Sequence, residues 1–184
     1  MARIGQSEFG FWDKIKYLLS DPNDFFEKIK SDSIKNALLM YAIVGVFMTA
    51  VSFIGFLIMT TQMSRFEGGF GSLMIIITIA SYIIGIIVTF LYSLLIHAIV
   101  IAFKGAGKYS DSYNVFTYSM IPFMLLVMVP MVGFLSIIYS YVLMIIGISK
   151  IHMISKMKAA LACLLPGIVI IGLFIIISDM PIYN

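Results

Sequence analysis

Charged residues are scarce in this chain of 184 residues, because Asp, Glu, Lys and Arg together make up only 11% of it. A soluble domain usually carries about 25% charged residues. Hydrophobic residues account for 61% of the chain, which is more apolar surface than so small a globule can remove from water. The composition therefore predicts an integral membrane protein whose solvent is lipid.

Cysteine and the usual catalytic motifs are also missing. Cys163 is the single cysteine, which excludes an intrachain disulfide and a thiolate metal site. The sequence contains no H-E-x-x-H, no G-x-S-x-G and no phosphate-binding loop. It also lacks a basic stripe interleaved with aromatic residues, as a nucleic-acid groove would need. We therefore expect no catalytic residue, no metal, no cofactor and no nucleic-acid partner.

Long runs without any charge are what the chain has instead. A helical span needs about 20 apolar residues, and the uncharged runs accommodate five such helices. The predicted spans cover residues 36–61, 72–103, 113–130, 134–149 and 159–178. The sequence thus predicts an all-α membrane domain over 36–184, a bundle of five transmembrane helices. A cytoplasmic, interfacial segment over 1–35 precedes it.

The number of spans depends on whether residues 72–103 and 113–149 each cross the membrane once or twice. Cytoplasmic loops carry an excess of Lys and Arg. One crossing at 72–103 and two at 113–149 place eleven of the twelve basic residues on one side and leave only Arg65 on the other. The alternatives give splits of six against six or eight against four. The charge distribution therefore favours five spans, with a cytoplasmic N-terminus and the C-terminus outside.

The segment before the first span contains two short amphipathic patterns. Apolar residues recur at helical spacing over 11–19, opposite lysines, and the candidate interfacial anchors are Phe11, Trp12, Ile15, Lys14 and Lys16. A second helix is predicted where Asp21 is the N-cap and Pro22 takes the first helical position, ahead of Phe25 and Phe26. Such helices either lie at the inner membrane surface or pack onto the span bundle, and the pattern allows both.

A few polar side chains are expected near the inner ends of the middle spans. We hypothesise that they share a pocket or a hydrogen-bond cluster open to the cytoplasm; the candidates are His97, Asn114, Tyr118, Ser119 and Ser149. The alternative is ordinary hydrogen bonding between helices. For His97 that alternative is a neutral imidazole bonded to a neighbouring helix. His152, among lysines, is expected to face solvent or lipid headgroups.

Several short motifs resemble the Yip family, the Ypt/Rab-interacting membrane proteins, in its short prokaryotic form. The residues that carry the resemblance are Pro22, Phe25, Phe26, Tyr118, Pro122, Gly147, Lys158 and Ala159. Thr117 stands where the family often has glycine. The resemblance implies five spans and a cytoplasmic N-terminus. Eukaryotic relatives are implicated in binding Rab GTPases, but the long N-terminal region of those relatives is missing here, so no Rab-type partner is expected.

Two kinds of function are compatible with these features. The first is a non-enzymatic membrane scaffold or organiser that binds a partner or shapes the bilayer. The second is a channel or facilitator for a small solute, working as an oligomer. The expected partners are the lipid bilayer and either a second copy or another membrane protein. Isoleucine-rich spans and ten lysines against two arginines favour a prokaryotic plasma membrane, in which the chain is a multi-pass protein.

Overall fold

A computed structural model describes residues 10–61, 70–129 and 131–178. Within these ranges the chain forms seven α-helices and one short 3-10 turn, and it has no β-strand. In chain order they are α1 (Phe11–Ser20), α2 (Pro22–Lys28), the 3-10 turn (Ile29–Ser31), α3 (Ile34–Thr61), α4 (Phe70–Ala102), α5 (Tyr109–Leu126), α6 (Val132–His152) and α7 (Lys156–Ser178). Arg65, on which the predicted outer side depends, lies outside the described residues.

The first two helices and the 3-10 turn form what we call the N-terminal layer. The start of α2 is capped as the sequence predicts: the Asp21 side chain accepts a hydrogen bond from the Asp24 N–H at 3.1 Å, and Pro22 occupies the first turn. Ile15 and Leu18 of α1 and Phe25 and Phe26 of α2 are buried in the same apolar core as the bundle. Part of each ridge therefore packs onto the bundle, while Trp12 and Leu19 of α1 stay exposed.

Three helices of the described chain are long and apolar enough to cross a membrane, judged by length and composition: Ile34–Ile58, Leu73–Ala102 and Val132–His152. They lie within α3, α4 and α6, and most of their apolar side chains face outward. An outward-facing apolar surface is what lipid requires. The protein is an all-α membrane protein. Because α4 is continuous over its 33 residues, the long run at 72–103 does not fold back on itself.

The helices of the middle region have other bounds than the predicted spans. The spans were predicted over 113–130 and 134–149, whereas α5 starts at Tyr109 and ends at Leu126, and α6 runs from Val132 to His152. The early start of α5 follows from Asp111, whose carboxylate accepts the Lys108 backbone N–H at 2.8 Å and so satisfies a group at the helix entrance. A charged residue assigned to the loop therefore belongs to the first turn of the helix.

Helix α5 is the centre of the fold. It packs against α3, α4 and α6, while α7 packs against α4 and α6, and α2 lies on α6. Every side chain of α5 from Asp111 to Ser119 is buried, including six that carry a hydroxyl or an amide. Polar residues on a helix enclosed by other helices need partners from those helices. The packing of α5 thus creates the two hydrogen-bonded clusters described next.

Candidate functional site

The first cluster surrounds Asp32, in the link between the 3-10 turn and α3. The donors to its carboxylate come from three parts of the chain; they are Tyr118 Oη at 2.7 Å, Asn36 Nδ2 at 2.6 Å, the Ser33 backbone N–H at 2.9 Å and Lys14 Nζ at 3.3 Å. Asn114 Nδ2 adds a hydrogen bond to the Asp32 carbonyl oxygen at 2.8 Å. We call these residues the Asp32 clamp, because they join α1, α3 and α5.

Local sequence places Asp32 at this junction. The Ser33 hydroxyl accepts a hydrogen bond from the Asn36 N–H at 3.3 Å, as an N-cap does at a helix start. Asn36, one turn later, then points its amide back at the Asp32 carboxylate. The start of α3 therefore orients the carboxylate before any distant residue reaches it.

The ion pair inside the clamp is shielded from water. The side chains of Asp32 and Lys14 are only 6% and 18% exposed. Burial acts to raise the pKa of Asp32, but the hydrogen bonds from Tyr118 and Asn36 and the attraction of Lys14 outweigh it, so the pKa lies below its ordinary value. A carboxylate that stays ionised and already has several donors is a poor general base, so the clamp is suited to holding structure.

Two phenylalanines dock the N-terminal layer beside the clamp. The Phe25 ring meets the Tyr118 ring edge-on, with 5.3 Å between centroids. Phe26 lies over Gly147 on α6, where a Cβ atom would come within 3.0 Å of the Phe26 ring and 2.6 Å of Val115 Cγ1. Both phenylalanines are essentially inaccessible to solvent. Only glycine allows α2, α5 and α6 to approach this closely.

The second cluster links three helices through two histidines and a serine. Ser112 Oγ on α5 lies 2.9 Å from His97 Nδ1 on α4 and 2.9 Å from His152 Nε2 on α6. The other ring nitrogen of His152, Nδ1, is hydrogen-bonded to the Ala106 carbonyl oxygen in the loop between α4 and α5. We call this arrangement the histidine chain.

The direction of each hydrogen bond in the histidine chain follows from its last acceptor. A carbonyl oxygen only accepts, so Nδ1 of a neutral His152 carries the proton and its Nε2 accepts from Ser112. The Ser112 oxygen then accepts from Nδ1–H of His97. Ser112 and His152 are fully buried. The histidine chain therefore joins α4, α5 and α6 by hydrogen bonds inside the bundle.

The two clusters stand among residues that match a known domain. A sequence profile of the Yip1 domain matches residues 16–177 of the chain. The protein belongs to the Yip1 family. No curated protein and no solved structure gives a significant match. The family assignment confirms the resemblance seen in the sequence, and the matched residues include the histidine chain and every member of the Asp32 clamp except Lys14.

The residues that carried the Yip resemblance have several structural roles. Pro22 starts α2, Phe25 and Phe26 dock the layer, Tyr118 belongs to the clamp, and Gly147 receives Phe26. Pro122 lies inside α5 and is buried. Ala159 is buried in α7, while Lys158 beside it is exposed. Most of the motif residues therefore belong to the junction between the N-terminal layer and the bundle.

The polar residues proposed as one cluster are divided between different partners. Asn114 and Tyr118 join the Asp32 clamp, whereas His97 joins the histidine chain. The Ser149 hydroxyl donates to the Ile154 carbonyl oxygen at 2.7 Å, and the buried Ser119 hydroxyl has no hydrogen-bond partner among the described residues. His97 bonds to Ser112 on the neighbouring helix α5.

Some of the predicted interfacial anchors are buried in the structure and others are exposed. Ile15 is buried and Phe11 packs against the core, while Trp12 and Lys16 are exposed. Lys14 turns inward to Asp32, which no helical periodicity could reveal. The expectation that His152 faces solvent or headgroups was wrong, because its side chain is fully buried between Ser112 and Ala106.

Sequence reasoning missed Asp32 and Ser112. Asp32 comes directly before a helix cap, and that position was the only available signal of a structural role. Ser112 was not singled out in the sequence, because small hydroxyl residues are common in membrane helices. Within the described residues, no group of three or more His, Cys, Asp or Glu side chains is arranged to hold a metal ion. Neither of the two cavities described below is lined by His97.

Proposed function

We propose that this protein is a non-enzymatic membrane organiser with five spans and a cytoplasmic N-terminus. In this proposal the N-terminal layer is held firmly against the cytoplasmic end of the bundle. The protein then has a larger cross-section in the inner half of the membrane than in the outer half, and a prokaryotic plasma membrane containing it bends accordingly. The Asp32 clamp is the observation on which this proposal rests.

The clamp supports the proposal because it makes the layer part of the membrane domain. Removing one partner of a buried ion pair strongly destabilises a protein, because the other charge is left buried without a partner. Lys14 of α1 and Tyr118 of α5 meet on the same Asp32 carboxylate oxygen. A layer held by both polar contacts and buried phenylalanines adds fixed width at one end of the bundle.

The lengths of the helices support a narrower opposite end. At 1.5 Å per residue, the 18 residues of α5 extend about 27 Å. The 28 residues of α3 and the 33 residues of α4 extend about 42 Å and about 50 Å. Because α5 stops first, α3 and α4 continue beyond it with less protein around them. The resulting shape is wide where the layer lies and narrow at the other end.

The outward face of α1 offers contacts with lipid. Trp12 is 66% exposed and Leu19 is 46% exposed, and Lys16 lies between them in the sequence. Tryptophan prefers the membrane–water interface, and an exposed lysine suits anionic headgroups. The layer thus has one face bound to the bundle and another suited to the inner leaflet.

Five spans agree with the continuity of α4 and with the division of residues 113–149 into α5 and α6. Cysteine labelling of each connection from one side of sealed vesicles tests this topology. Labelling of positions 10 and 178 from the same side would contradict it.

Membrane shaping is tested with the full chain in vesicles of phosphatidylcholine and phosphatidylglycerol, imaged by cryo-electron microscopy. We expect smaller or tubular vesicles at high protein density, and loss of this effect in Asp32→Asn. The matched control is Asp24→Asn, because Asp24 forms an exposed pair with Lys28 that contributes little to stability. Equal vesicle shapes with wild type, Asp32→Asn and no protein would overturn the proposal.

A further inference from the structure

A cleft separates α3 and α4 on the side of the bundle away from the N-terminal layer. It has a volume of about 380 Å³ and is bounded by one face of each helix. The lining residues are Val46, Thr49, Ala50, Phe53, Ile75, Thr78, Ile79 and Tyr82. A second cavity of about 210 Å³ adjoins it, since Thr49 and Tyr82 line both. Residues of α5 line only this second cavity.

Tyr82 forms the boundary between the two cavities. Its ring crosses from α4 to α3 and lies on Gly45, where a Cβ atom would be 2.6 Å from Tyr82 Cε2. Its hydroxyl donates to the Ala42 carbonyl oxygen at 2.9 Å. The tyrosine hydroxyl is therefore already hydrogen-bonded, and the ring presents an apolar surface to the cleft.

The chemistry of the lining selects an apolar occupant. Among the eight residues that line the cleft, none is charged, and hydroxyls come only from Thr49, Thr78 and the hydrogen-bonded Tyr82. A peptide or a polar solute placed there would leave polar groups without partners in an apolar setting, which is costly. Hydrocarbon has no such groups.

The depth of the cleft identifies the source of that hydrocarbon. Thr49 lies fifteen residues after Ile34, or about 23 Å along α3, within a hydrocarbon core about 30 Å thick. The neighbouring side chains of Phe47, Val51 and Ile76 are exposed, so the cleft opens sideways between two lipid-facing surfaces. Its opening therefore faces acyl chains and not water.

The lining segment of α3 spans eight residues, about 12 Å in length. An alkyl chain is thinner than a helix, whose diameter is about 10 Å, and it can lie lengthwise between α3 and α4. From these observations we propose that the α3–α4 cleft is a binding site for one alkyl chain of a bilayer phospholipid.

The proposal is tested with the full chain in phosphatidylcholine vesicles that contain a phospholipid with a photoreactive diazirine on its acyl chain. After illumination and digestion, mass spectrometry maps the labelled residues. We expect labelling at 50–53 and 75–79 to exceed, several-fold, labelling at the exposed residues 168–171 of α7. Equal labelling of the cleft and of α7 in the wild-type protein would overturn the proposal.

A pair of matched variants separates binding in the cleft from general lipid exposure. Ala50→Phe places a ring in the cleft and should reduce cleft labelling to the level of α7. Ala80→Phe makes the same change at an exposed position of α4 that does not line the cleft, and it should leave the labelling unchanged. Unchanged labelling in Ala50→Phe would contradict the proposal. Disulfide-linked dimers of an Ala50→Cys variant would also contradict it, because they would assign the cleft to a second copy.

Discussion

The phenol of Tyr118 and the carboxylate of Asp32 are 2.7 Å apart although 86 residues separate them in the chain. This contact connects the middle of α5 to the link that precedes α3. Lys14 lies 3.3 Å from the same carboxylate oxygen, so the contact also connects α5 to α1. The first membrane helix, the central helix and the N-terminal layer are thereby held at one point, and most of our predictions concern this point.

Replacing Tyr118 by phenylalanine should weaken the clamp while keeping the ring that packs on Phe25. Hydrogen bonds to charged groups contribute about 1.5–3 kcal/mol, so we expect a loss of that order in the free energy of unfolding. Denaturant titration in detergent micelles measures it. Tyr139→Phe is the control, since the Tyr139 hydroxyl makes an exposed and long contact of 3.4 Å to the Leu19 carbonyl oxygen. Equal losses of unfolding free energy in both variants would show that the Tyr118–Asp32 hydrogen bond contributes no more to stability than the Tyr139 contact.

Acidic pH should release the N-terminal layer. Because folding lowers the pKa of Asp32, its stabilising contribution is complete above the unfolded pKa of about 3.9 and disappears as pH falls through the lower folded value. Trp12, the single tryptophan, reports on α1 through its fluorescence anisotropy. We expect constant anisotropy from about pH 7 to pH 5 and a decrease below about pH 4.

The Asp32→Asn variant is the control for this pH dependence. Its anisotropy should already be low at neutral pH and should change little on acidification, since the group that titrates is absent. An identical acid transition in the variant and in wild type would assign the change to other carboxylates, such as the exposed Asp24 or Glu27.

Ser112→Ala should destabilise the contact between α4, α5 and α6. It leaves His97 Nδ1 and His152 Nε2 without their shared partner, and an unpaired buried polar group costs about 1–3 kcal/mol. Ser110→Ala, two residues earlier on α5, is the matched substitution at a less buried serine. Nitrogen-15 spectra of the histidine rings should show protonated Nδ1 on His152 in wild type. Unchanged ring shifts in Ser112→Ala would rule out the hydrogen-bond directions assigned here.

Gly147→Ala should separate the N-terminal layer from α6. The added methyl group would lie 2.6 Å from Val115 Cγ1 and 3.0 Å from the Phe26 ring, and overpacking of this kind costs about 1–3 kcal/mol. Thermal unfolding in detergent measures the change. Gly172→Ala is the contrasting case, because among the described residues nothing beyond the adjoining backbone of α7 lies within 4 Å of its added methyl group. A helical Gly→Ala change there should be neutral or slightly stabilising, and equal destabilisation by both would contradict the packing argument.

Helices were easier to predict than their ends. Uncharged runs located α3, α4, α6 and α7 to within a few residues, because a charge near the centre of the hydrocarbon is costly for any Asp, Glu, Lys or Arg. The first turn of α5 was missed because Asp111 is charged and precedes residue 113, where the uncharged run begins. Its carboxylate satisfies the backbone at the helix start, and such a local contact is weaker evidence in a sequence than a long apolar run.

Residues of the candidate site were found more readily than their partners. His97, Asn114 and Tyr118 were noticed because polar groups are rare in apolar helices. Their partner Asp32 was not, because a hydrogen bond spanning 86 residues leaves no periodicity in the sequence. Ser112, fifteen residues from His97, was missed because small hydroxyl residues are common in membrane helices. His152 was misplaced for the same reason: its neighbours in the chain are basic, but its neighbours in space are Ser112 and Ala106.

The amino-acid sequence by itself determined that this is an all-helical membrane protein and that it belongs to the Yip1 family. Transfer of a side chain into lipid depends mainly on its own chemistry, so composition and run length carry that information. Only the tertiary structure decided that Lys14 turns inward to Asp32, that α5 is enclosed by its neighbours and that α3 and α4 leave a cleft between them. These features depend on which helix faces which, and that is set by packing among distant segments.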